Sequence, residues 1–148
     1  MNTPSLRGDD GTLVAVYRTE RLLLVDADAA SLQATRRMLS RWPDQRSATS
    51  GHLAIRMAWA SEPDLIVIDI DMPRQAGLQL FLELQADARL CRIPVILLSS
   101  LRDDALEAIT RLGGAADLLP KPLDAALLVS RVAAALSRMP ARGRELAA

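Results

Sequence analysis

The chain has 148 residues, 18 basic and 18 acidic side chains, one histidine and one cysteine, and half of its residues are apolar. That length suits one domain with its own core, and a net charge of zero gives no bulk attraction to nucleic acid or anionic membrane surfaces. Cys91 has no second cysteine for an internal disulfide, one histidine cannot complete a zinc site with it, and no apolar run approaches the ~20 residues of a membrane helix. The expectation is a soluble, cytoplasmic, single-domain protein that neither binds nucleic acid directly nor enters a membrane.

Residues 1–19 lack a helical pattern and carry Pro4, Gly8 and Gly11, which predicts a flexible N-terminal arm. Their one apolar stretch, 13–17, follows Asp9 and Asp10 and does not read as a secretory signal. The first strand is predicted at residues 22–25, an unbroken Leu/Val run suited to burial on both faces of a parallel sheet. Leu32, Thr35, Leu39 and Trp42 then recur at helical steps, and a weak strand signal follows near 46–49. Ser50 and Gly51 precede a helical stripe of Ala54, Met57 and Ala58; residues 65–68 form the next apolar strand, and Leu78, Phe81 and Leu84 mark another helix. A strand at 95–98, a helix stripe of Leu106, Ile109 and Leu112, a weak strand at 118–119, and a last helix carrying Leu128, Val132, Ala135 and Leu136 complete the pattern. Strands alternating with helices imply βαβ units, so the fold class is α/β, with residues 20–139 as one doubly wound parallel-sheet domain and 140–148 as a C-terminal tail or the start of a linker.

Polar residues fall at one place in this pattern. Asp26 and Asp28 follow the first apolar run, Asp69 and Asp71 close the next strong one, Ser99 and Ser100 close another, and Lys121 follows the last. All lie at carboxyl ends of strands, the edge where open α/β sheets bind ligands. Lys121 is the only lysine among the 18 basic residues, a compact point charge in a chain that otherwise uses arginine. Carboxylates converging with a hydroxyl and an ammonium suit a hard cation plus an oxyanion, and a carboxylate can itself be the nucleophile that forms an acyl phosphate. Acids at strand ends also start turns and cap helices, and Asp28 could do this as well as ligate.

These residues carry a resemblance to the receiver domain of bacterial two-component response regulators. It covers residues 20–138 through the segments LLLVDAD, PDLIVIDIDMPRQAG, IPVILLSS and GGAADLLPKP, with 30 residues from Asp69 to Ser99 and 22 from Ser99 to Lys121. The resemblance implies a flavodoxin-like five-stranded sheet in order 2-1-3-4-5 and a magnesium ion. It implies that Asp69 is the phosphoacceptor, Ser99 the switch hydroxyl and Lys121 the phosphate-binding lysine. It makes Asp26 and Asp69 metal-pocket carboxylates, with the backbone carbonyl of Asp71 as a further metal ligand and Asp28 as a candidate. It also implies a cis Lys121–Pro122 bond, a sensor histidine kinase or phosphotransfer partner, a candidate homodimer through the last helices and strand, and a phosphoacceptor module in place of an enzyme.

Two positions depart from the family. Ala27 stands where receivers usually carry a second acid that ligates the metal, so magnesium affinity is expected to fall at least ~10-fold. Leu118 stands three residues before Lys121, where an aromatic is usual. Both departures also fit a degenerate receiver acting as a phosphorylation-independent interaction module. A third reading, a haloacid-dehalogenase-like phosphatase, rests on the stretch DIDMP but needs an acidic pair after the lysine, where only Asp124 and Glu145 occur. His52 is expected on the surface, Cys91 as a structural thiol, Trp42 and Trp59 as helix-to-core packing, and Asp103 with Asp104 at a helix start. The stretch QADARLCRIPVILLSS also resembles receivers fused to cyclic-dinucleotide enzymes.

Overall fold

A computed structural model describes residues 18–101 and 103–138, together with the backbone of 5–7 and 13–15. Five parallel strands form the sheet: β1 (Leu22–Val25), β2 (Gln45–Ala48), β3 (Leu65–Asp69), β4 (Val95–Ser99) and β5 (Asp117–Pro120), in the order β2-β1-β3-β4-β5. Helices α1 (Ala29–Met38), α2 (Gly51–Ser61), α3 (Ala76–Ala86), α4 (Asp104–Leu112) and α5 (Ala125–Ser137) alternate with them. The architecture is the doubly wound one that the strand and helix pattern implied.

Strand residues alternate between two apolar layers, as the period of two dictates. Leu23, Val25, Ile66, Ile68, Val95 and Leu97 meet Ala54 and Ala58 of α2 and Leu80, Phe81 and Leu84 of α3, with Leu106 of α4 at the margin. Leu22, Leu24, Leu65, Val67, Ile96, Leu98 and Leu119 face Leu32 of α1 and Leu128, Val132 and Leu136 of α5. Every residue of β1, β3 and β4 is buried, which explains their unbroken apolar runs. The edge strands β2 and β5 are only partly buried, and this is why their sequence signals are weak.

Several expectations need correction. Trp42 is fully buried, but Trp59 is 42% exposed: α2 turns Ala54 and Ala58 inward, and Trp59, one residue further round, lies outside under the Arg89 guanidinium at 4.7 Å. Only Leu106 of the expected α4 stripe packs against the core: Ile109 and Leu112 are exposed and Thr110 is the helix's buried residue. Within the expected arm, Ser5–Arg7 and Leu13–Ala15 pair as an antiparallel ladder that the residue pattern did not signal. At residues 18–20 the chain is anchored: Arg18 forks onto Glu20, whose other oxygen accepts from Trp42 Nε1 at 3.0 Å. The tail at 140–148 lies outside the described residues.

Candidate functional site

The sheet register sets the site. Val25 is level with Ile68 and Asp69 with Leu98, so Asp26, Asp69 and Ser99 leave three adjacent strands at one edge. Lys121 joins them from the end of β5, its N–H donating to the Ser99 carbonyl at 2.9 Å, and its bond to Pro122 is cis. The loop after Asp69 must bring α3 close. Gly77 makes this possible, because a Cβ there would sit 2.3 Å from the Asp69 carbonyl oxygen.

Asp26, Asp69 and Ser99 are all buried polar residues. Asp69 Oδ1 accepts from Lys121 Nζ at 2.7 Å and from the Asp71 N–H at 2.9 Å. Burial pushes the Asp69 carboxyl above its ordinary range and the nearby Asp26 charge adds to this, outweighing the lysine. Lys121 is also 3.1 Å from Asp71 Oδ2. Burial alone would lower its ammonium, but hydrogen bonds to the two carboxylates raise it, so it stays charged. Burial likewise acts to raise Asp71, yet hydrogen bonding by Ser100 and Lys121 prevails and holds that carboxyl below its ordinary range.

The sequence left the partners of two acids open. The Asp28 carboxylate accepts from the Ala30 and Ser31 N–H groups as the N-cap of α1, while its own N–H donates to Asp26 Oδ1 at 2.9 Å. Asp71 was expected among the carboxylates at this edge, with its backbone carbonyl as the metal ligand; its side chain binds Lys121, Ser99 and Ser100, partners that the sequence pattern did not specify. Among the described residues no three His, Cys, Asp or Glu side chains form a group able to hold a metal. The buried carboxylates at this edge are Asp26 and Asp69. Such a set suits magnesium, which takes one or two carboxylates and keeps waters.

Residues 22–133 match the response regulator receiver domain family. The chain belongs to that family. The receiver is 35% identical over 120 residues to response regulator MprA of Mycobacterium leprae, covering 80% of this chain and 51% of MprA. It is 31% identical over 115 residues to response regulator PleD of Caulobacter vibrioides, covering 76% of this chain and 25% of PleD. The chain thus spans about half and a quarter, respectively, of these two relatives' lengths. The crystal structure of a response regulator from Desulfuromonas acetoxidans superposes with a TM-score of 0.72 at 29% identity, over 82% of this chain and 99% of that one. Receiver domains serve two-component signalling, interact with histidine kinases or phosphotransfer proteins, and generally bind magnesium at the acidic pocket. The receiver-family match over residues 22–133 leaves the dehalogenase-like reading unfavoured; Asp124 caps α5 by accepting from Leu127 N–H.

The remaining candidates are peripheral. His52 lies in the first turn of α2 and is exposed, and Cys91 is an exposed free thiol. Asp103 caps α4 through the Ala105 N–H. A groove of about 760 Å³ between α1 and α5, lined by Arg37, Met38, Arg41, Ala126 and Val129, is separate from the acidic edge. No described helix is long and apolar enough to cross a membrane.

Proposed function

We propose that Asp69 accepts a phosphoryl group from a histidine kinase or phosphotransfer partner, and that the modified domain relays the signal through protein contacts. The observation that carries this is the pairing of Asp69, a buried carboxylate at the end of a central strand, with the chain's only lysine at 2.7 Å. In this reading Asp69 supplies the attacking oxygen. Lys121 neutralises charge on the arriving oxyanion, and the Ser99 hydroxyl donates to one of its oxygens. A magnesium ion would supply charge neutralisation at the same edge, held by Asp26, Asp69 and the Asp71 carbonyl. Ala27 leaves that set one carboxylate short, so binding is weak, and Asp28 serves as a helix cap and not as a replacement.

The domain performs no chemistry beyond its own phosphorylation and dephosphorylation. Exposed Leu101, Ile109 and Leu112 on and before α4 support a protein contact, including a homodimer, through the last helices and strand. A second reading, a phosphorylation-independent interaction module, is favoured by Ala27 and by Leu118, which is only partly buried and brings no polar tip to the switch region.

Treatment with a small phosphodonor, with and without magnesium, followed by intact-mass measurement separates the two readings. We expect one phosphoryl adduct on the parent and none on Asp69→Asn. An adduct that persists in Asp69→Asn moves the acceptor elsewhere, and the absence of any adduct on the parent favours the interaction module.

A further inference from the structure

The Asp71 side chain has more partners than the phosphoacceptor reading requires of it. Its Oδ2 accepts from the Ser100 N–H at 2.9 Å and lies 3.1 Å from Lys121 Nζ, and its Oδ1 is 3.4 Å from the Ser99 hydroxyl, whose one proton it shares with the Leu101 carbonyl at 3.3 Å. An ammonium, a backbone amide and a hydroxyl, contributed by two strand ends, therefore converge on one carboxylate. Such a donor set is what an oxyanion needs, and here the oxyanion is part of the chain. It lies next to Asp69, because Lys121 Nζ is shared between the two carboxylates and the Asp71 N–H donates to Asp69 Oδ1.

We propose that the Asp71 carboxylate is a tethered anion occupying the Lys121–Ser99–Ser100 donor set, and that it excludes other oxyanions, including a phosphoryl group on Asp69, until displaced. The kinetic part of this rests on the phosphoacceptor reading. Transfer forms a bond from an Asp69 carboxylate oxygen to phosphorus, while the bond from phosphorus to the donor atom breaks and that atom keeps the electron pair. The Asp69 side chain thereby goes from one negative charge to two. Lys121 cannot neutralise both that group and Asp71, so Asp71 must leave the donor set or oppose the product. Asp71 is thus a positioning residue that sets how readily the site accepts phosphoryl.

The test compares the parent with Asp71→Asn and Asp71→Ala in two measurements. In the first, inorganic phosphate is titrated into the 15N-labelled proteins without magnesium or phosphodonor, and the Ser100 amide resonance is followed. We expect no phosphate response in the parent and a saturable shift in Asp71→Ala, with Asp71→Asn intermediate. The second is the rate of adduct formation from acetyl phosphate at saturating magnesium, expected to rise at least ~10-fold in Asp71→Ala when one like charge is removed from the site. Labelling that is equal or slower in both variants overturns the proposal, as does a Ser100 amide that responds to phosphate equally in all three proteins. If no protein takes up a phosphoryl group, the phosphoacceptor reading fails. The phosphate titration then decides alone whether Asp71 fills the oxyanion set.

Discussion

Replacing Gly77 with alanine tests whether α3 is seated on the backbone of the proposed phosphoacceptor. The new Cβ would lie 2.3 Å from the Asp69 carbonyl oxygen, 3.0 Å from Ile70 Cα and 3.1 Å from the Asp69 carbonyl carbon. All three neighbours are backbone, so relief requires parting the start of α3 from the end of β3 by roughly 1 Å, in a region close-packed on both sides. Overpacking of this kind costs about 1–3 kcal/mol and occasionally more. Alanine's better helix propensity returns at most ~1 kcal/mol, leaving a net loss of up to roughly 2 kcal/mol. For a domain of this size that lowers the melting temperature by up to about 8 °C. Gly51→Ala is the control: its Cβ meets nothing nearer than 3.6 Å, and it should be neutral or gain up to ~1 kcal/mol. Thermal and urea unfolding of the two variants beside the parent gives the comparison. A Gly77→Ala protein as stable as Gly51→Ala would refute the close approach.

The metal site gives a paired test by magnesium titration. Ala27→Asp should tighten binding by ~10-fold or more, whereas Asp28→Ala should leave it unchanged and cost about 1 kcal/mol of stability through the lost cap; abolition of binding in Asp28→Ala would assign that carboxylate to the metal. The pH dependence of stability, measured by denaturation with the metal chelated, should separate the two site carboxylates by sign. Asp69 is raised, so its ionised form opposes folding as pH climbs above its ordinary value of about 3.9, and Asp69→Asn should be more stable than the parent near neutrality, with the difference fading in acid. Asp71 is lowered, so its contribution is present above about 3.9 and lost as pH falls through its depressed value, and Asp71→Asn should be less stable at neutrality. The same sign for both variants would mean that the two carboxylates do not divide Lys121 as the geometry indicates.

What was legible in the sequence follows burial. The strands buried on both faces announced themselves as apolar runs, and the polar residue ending each run placed Asp26, Asp69, Ser99 and Lys121 at one edge before any coordinates. Helix faces were less legible. On α4 the apolar period of Leu106, Ile109 and Leu112 looked like a core stripe, yet a sheet edge offers too little surface to cover it, and Thr110 takes the buried position with its hydroxyl donating to the Glu107 carbonyl. Trp59 misled for a related reason, since a large ring suggests core but its position on α2 lies beside the Ala54–Ala58 line. Asp28 and Asp71 were ambiguous because a short acid near a strand end can cap, ligate or bind a cation. Which it does depends on where neighbouring strands place N–H groups and Lys121, and the sequence does not print that.

The rims of the sheet bear on how this domain can associate. Three central strands carry only apolar side chains until their last residues, but β2 reads Gln-Arg-Ser-Ala and β5 ends in Pro120. On β2, Gln45 donates to the Leu39 carbonyl and Ser47 accepts from Arg36, while Arg46 stands in solvent beside Asp44. On β5, Asp117 is tied to Arg131 and Pro120 offers no N–H to a further ladder. Charge, side-chain bonding and a missing donor all discourage a foreign strand from adding to either border. Growth of the sheet from one molecule into the next is therefore disfavoured, which leaves packing of side chains, and not pairing of strands, as the way this domain can associate.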